Sequence, residues 1–285
     1  MVDVWTGLLA LNTLGLYASA LVSFGSVLIG FAFTRILRRP YYRDLTLMWS
    51  LLGLILSATD IAVRAAALTG AASGAKDPEM LKLVWGTPVG DAALWRVAGF
   101  ALLLVGALLG RMGSWLALSG GVLVMCSFTL LGHVAEQEAF WLQLVLYFHL
   151  SAAAFWVGIL GPLRRLALDR DKLDVAAQLG HGFGRAALFV LPVLVAAGAV
   201  MAWRLLDTWA AVATPYGLAL LVKILAVAVL MGIGAANKTR HVPAMLRGEG
   251  GAADALANVI RKEQVVVALI LTVTAALTVV IGAPV

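Results

Sequence analysis

From Asp3 to Arg35 the chain carries no other charged residue, and comparable apolar stretches recur along its whole length. A helix crosses a hydrocarbon core with about 20 apolar residues, so each stretch is long enough to be a span. The chain is 62% hydrophobic and only 13% charged, with a mean hydropathy of +0.97. A soluble domain could not hide that much apolar surface. The sequence therefore predicts an all-α polytopic membrane protein whose principal partner is the lipid bilayer. The first stretch lacks a basic flank and outruns a signal core, so it is expected to remain as a span.

Hydropathy places eight transmembrane helices near residues 8–34, 45–69, 92–110, 114–135, 139–163, 183–203, 215–237 and 264–281. Basic residues then gather on alternate connections: Arg35, Arg38, Arg39 and Arg43; Arg111; Arg164, Arg165, Arg170 and Lys172; Lys238, Arg240, Arg247, Arg261 and Lys262. The intervening connections are poor in positive charge. By the positive-inside rule the basic loops are cytoplasmic and both termini periplasmic. This distribution also accounts for the formal charge of +6, so no nucleic-acid partner is implied. The loops near 70–91 and 238–263 are too short for a soluble core, which makes residues 1–285 a single integral membrane domain.

Ionisable side chains inside a bilayer are costly and usually mark a path for ions or protons. His133 and His149 lie on one apolar hairpin running from Gly120 to Leu163, which also carries Met125 and Cys126. With the hairpin tip near Gln137, a rise of 1.5 Å per residue separates the two histidines by about 12 Å in depth. His149 is then level with Met125 and Cys126, about 18 Å along the helix from the tip. Asp60 and Lys223 fall near the same middle tier, and Met201 joins His133 in a shallower one. The pattern is a two-step ladder descending from the outer face.

Imidazole, thioether and thiol donors suit copper, as Cu(I) or Cu(II), better than magnesium or calcium, and leave zinc open. Plainer roles exist for each residue. A histidine inside a helix can simply bond a neighbouring carbonyl, and methionine or a lone cysteine is ordinary core filler. Asp60 and Arg64 are spaced for a local ion pair. Lys223 reads either as the counter-ion of Asp60 or as a gate that repels unescorted cations. Glu263, beside Arg261 and Lys262, reads as an exit ligand at the cytoplasmic mouth or as a charged helix start at the headgroups.

Several blocks, "GHVAEQ", "FHLSAAAFWVGILGPL", "FGRAALFVLPVLVAAGAVMAW", "TPYGLALLVKILAVAVLMGIGAANK" and "RKEQVVVALILTVTAALT", resemble successive segments of the bacterial copper resistance D family. The resemblance runs from about Leu94 to the C-terminus and is closest over 183–285, where Tyr216, Gly217, Lys223, Asn237 and Glu263 carry it. It implies an inner-membrane protein that moves copper from periplasm toward cytoplasm, often beside a periplasmic copper-binding protein. His133 and His149 would be the copper-associated histidines. The chain departs from richer members in having no Met-rich or His-rich periplasmic segment.

No GxSxG, P-loop or HExxH pattern is present, so an enzyme is not expected. Two other readings compete with copper transport. A b-type cytochrome would use intramembrane histidines as axial haem ligands, although the unequal depths of His133 and His149 oppose one shared haem. A copper sensor or assembly scaffold would bind the ion without moving it.

Overall fold

The computed structural model describes residues 3–132, 137, 139–205 and 212–281. The described residues form helices and connecting turns, with no strand among them. Helix α1 (Val4–Ala32) starts where the Asp3 carboxylate accepts the Thr6 backbone N–H at 2.6 Å. That bond holds the Asp3 carboxyl below its usual range. Helix α2 (Pro40–Thr69) begins with proline, whose missing N–H costs nothing there, and ends on Gly70 at φ 65°. A short 3-10 turn, Ala72–Lys76, and helix α3 (Pro78–Trp85) lead into α4 (Pro88–Leu108) and α5 (Ser114–Thr129). Then come α6 (Phe140–Leu168), α7 (Leu173–Leu205), α8 (Pro215–Ala236), a π turn at Asn237–His241, α9 (Val242–Leu246) and α10 (Ala252–Ala276).

Among the described residues seven helical segments, beginning at Val4, Pro40, Pro88, Phe140, Arg170, Pro215 and Ala252, are long and apolar enough to cross a membrane. Helix α5 has the apolar character but only 16 residues. It stops at Thr129 where the sequence predicts a span to 135. Large apolar side chains such as Phe189, Trp203, Leu225 and Val265 stand exposed on the outside of the bundle. In water such a belt would drive aggregation; in lipid it is the natural surface.

Small residues set the packing. Helices α4 and α5 run antiparallel with Gly99 against Gly120 and Gly106 against Gly113, so close that an added Cβ would strike the facing backbone. Gly25 of α1 meets the Ala154 carbonyl and Gly158 of α6 in the same way. Two hydrophobic cores result. One joins α1, α4 and α5, the other joins α6, α7 and α10, and residues of both α1 and α6 enter each. These two helices form the spine of the molecule. The serines buried in α1 fit there because they are small and can bond their own helix, as Ser23 does to the Ser19 carbonyl at 2.6 Å.

Two expectations need correction, and a third feature was not expected. The segment 70–91 is not a plain loop, because it holds the 3-10 turn and α3, capped by Asp77. The last helix starts at Ala252 rather than 264. Its early turns carry Asp254, Arg261, Lys262 and Glu263, which lower hydropathy without disfavouring the helix. Finally, α8 widens into its π turn just before Pro243, which has no N–H to continue an ordinary ladder.

Candidate functional site

A cavity of about 530 Å³ opens among α1, α5, α6, α7, α8 and α10, with walls that are mainly leucine, valine and alanine. Its few polar side chains include Tyr17, His149, Lys223, Thr274 and Thr278, and Met201 adds a thioether. This is the usual composition of a binding site: an apolar hollow with a small number of placed polar groups.

His149 is held by helix α7. Its Nδ1 lies 3.0 Å from the Leu194 carbonyl oxygen, which can only accept, so Nδ1 carries a proton and the neutral imidazole keeps its lone pair on Nε2. Gly198 makes the approach possible: a Cβ at that position would lie 3.2 Å from His149 Cε1. A carbonyl that fixes one imidazole nitrogen while the other stays free is the arrangement expected behind a metal-ligating histidine. It equally satisfies a histidine with no ligand.

Below the cavity lies a second polar group. Trp156 lines the cavity floor and directs its indole N–H to Glu263 Oε2 at 3.4 Å, while the Asn237 amide donates to Oε1. Glu263 is 3% exposed. It sits eleven residues inside α10, packed within the bundle and not at a helix start. Asn237 opens the π turn, a widening often found at functional positions.

Asp60 has different partners from the Lys223 expected at its depth. Its carboxylate accepts from Asn12 Nδ2 at 2.9 Å, Arg64 Nε at 3.0 Å and Arg96 Nη1 at 3.1 Å. Arg96 is itself buried, bonds the Ser127 hydroxyl at 3.3 Å and lies over the Phe128 ring. Asp60 is thus neutralised within α1, α2, α4 and α5. Lys223 belongs to the cavity with His149, and no carboxylate pairs with it among the described residues. Arg96 is the residue the sequence reading missed. It lies eight positions into α4 as Asp60 lies nine before the end of α2, so the same depth arithmetic finds it.

The remaining candidates separate. Met201 lines the cavity with His149. Met125 is fully buried in the core with Leu16, Ala20 and Phe24 of α1. Cys126 is a partly buried free thiol. Neither lines the cavity. His133 lies outside the described residues. Among the described residues no three His, Cys, Asp or Glu side chains converge as a metal cluster.

Comparison with known proteins agrees with this multi-pass architecture. A family profile described as "Copper resistance protein D-like, N-terminal domain" matches residues 1–144, and one described as "Copper resistance protein D" matches 177–277. The chain belongs to the copper resistance protein D family. It is similar to copper resistance protein D of Pseudomonas syringae pv. tomato, with 28% identity over 254 residues and 81% of each chain covered. No solved structure matches. The N-terminal match covers the first two helices, where the sequence motifs alone carry little resemblance.

Proposed function

We propose that this copper resistance family member sits in the bacterial inner membrane, spans it eight times with both termini periplasmic, and carries copper from periplasm toward cytoplasm. The observation that carries the proposal is the cavity in which His149, oriented by the Leu194 carbonyl across Gly198, shares a lining with Met201 and Lys223. Copper is the cargo. Nε2 of His149 and the Met201 thioether are its first cavity donors, a pair acceptable to Cu(I). His133, which falls between α5 and α6 in the sequence, is the outer acceptor.

Lys223 sets a toll on a bare cation, since a like charge beside a low-dielectric path repels it. Copper entering with an anionic co-ligand, or while Lys223 is neutral, passes more easily. Glu263, held by Trp156 and Asn237 under the cavity, is the anionic acceptor on the inward route. Met125 and Cys126 are reserve donors that a rotation of α5 would have to expose. A periplasmic copper-binding protein supplies the ion, and no enzymatic step is involved.

Metal analysis of protein purified after copper exposure tests the premise. Near-stoichiometric copper that falls in His149→Ala and in Met201→Leu supports the cavity site. Copper-free wild-type protein, or copper unaffected by either change, removes it.

A further inference from the structure

A second cavity, of about 710 Å³, lies at the opposite, basic end of the N-terminal half, between the α1–α2 and α4–α5 connections. Arg35, Arg38, Arg39, Arg43 and Arg111 line it, and among the described residues no carboxylate does. The positive-inside rule explains why arginines lie at this end, but it does not require five of them to surround one hollow. The hollow is also deep: it reaches Thr46, six residues into α2, or about 9 Å along the axis.

Two of the arginines are anchored. Arg39 Nη2 donates to the Ala107 carbonyl at 2.8 Å and Arg43 Nε to the same oxygen at 3.3 Å, closing the C-terminal end of α4. Arg35, Arg38 and Arg111 are exposed and have no acidic partner among the described residues. The first N–H groups of α2 are already taken, Tyr41 donating to the Arg38 carbonyl and Tyr42 and Arg43 to that of Arg39, so the donors free to face the hollow are guanidinium groups. Several guanidinium groups around one hollow are suited to phosphate oxygens.

We infer that this cavity is a binding site for a phosphate-bearing anion, held by Arg35, Arg38 and Arg111, its source in the membrane being the headgroup of an anionic phospholipid. Basic pockets between membrane helices on the cytoplasmic side take such headgroups. The site is independent of the copper path, from which it differs in both location and charge.

The test uses the full chain purified in neutral detergent, with native mass spectrometry and thermal unfolding as readouts. Phosphatidylglycerol is compared with phosphatidylcholine of the same acyl chains and with inorganic phosphate. The site variant is Arg35→Gln, Arg38→Gln and Arg111→Gln together; the control removes the same charge at Arg165, Arg240 and Arg261, all exposed elsewhere. The wild type and the control should retain phosphatidylglycerol in preference, and the site variant should bind it on the order of a hundredfold more weakly. Arg38→Gln alone should lose about fivefold, and decides the matter if the triple variant does not fold. Displacement of the lipid by inorganic phosphate, with matching stabilisation, would assign the site to free phosphate as well. Equal loss in the site and control variants, or undiminished binding in the site variant, overturns the inference.

Discussion

Replacing Asp60 by asparagine should be among the most damaging single changes in the molecule. The carboxylate is completely buried and accepts from Arg64 and Arg96 through the same oxygen, Oδ2. Neutralising it leaves Arg96, 2% exposed, as an uncompensated buried cation next to a second one. Removing one member of a buried pair costs about 3–5 kcal/mol. Arg64 is 23% exposed, so Arg64→Ala should cost no more than about 1 kcal/mol. Arg96→Met falls between, because Asn12 and Arg64 still hold the carboxylate. The double change Asp60→Leu with Arg96→Met removes both charges and should be milder than Asp60→Asn. Thermal unfolding in detergent, followed by labelling of Cys126 with a thiol-reactive dye, measures all four; Cys126 is the chain's one cysteine. Asp60→Asn should lower the midpoint on the order of 10 °C. Lys223→Met should not rescue it. If Arg64→Ala matched Asp60→Asn, or if the double variant lost as much as the two singles added, the network would not be the stabilising unit described here.

Three further outcomes follow from particular contacts. Gly198→Val places bulk where the His149 ring lies and should lower copper affinity about 10–100-fold with the fold intact, measured by titration on monodisperse protein; unchanged affinity would detach Gly198 from the site. Glu263→Gln is nearly isosteric and removes the charge, keeping one of the two hydrogen bonds accepted from Trp156 and Asn237, so copper should still bind while its release inward slows. Loss of binding itself would place Glu263 in the loading site instead. A C-terminal alkaline phosphatase fusion should be active and a C-terminal fluorescent fusion dark if the termini are periplasmic, and the reverse pattern would invert the topology.

Depth was legible in the sequence; rotation about each helix axis was not. Counting residues from helix ends puts His149 level with Lys223, and the two line one cavity; it also puts Asp60 level with Lys223, whereas the structure pairs Asp60 with Arg96, which the same count places at that depth. The same count puts Met125 level with His149, yet Met125 joins the core with α1. Close crossings of α5, such as Gly121 against the Phe24 ring of α1 and Gly120 against Gly99 of α4, fix that rotation, and they depend on residues far apart in the sequence. Hydropathy also misplaced the start of α10. It senses immersion in lipid rather than helicity, so the charged opening of α10 read as loop and Glu263 read as a residue at a helix start. The carbonyl partner of His149 lies 45 positions away on α7, beyond any local pattern.

The central claim is that copper crosses by way of His149. Radiocopper uptake into proteoliposomes, with wild type beside folded His149→Ala, tests it most directly. The account predicts copper-dependent accumulation in wild-type vesicles that His149→Ala abolishes, without a Soret band in either preparation. Undiminished flux in His149→Ala would contradict it, and bound copper without any flux in the wild type would make the protein a copper-holding scaffold rather than a carrier.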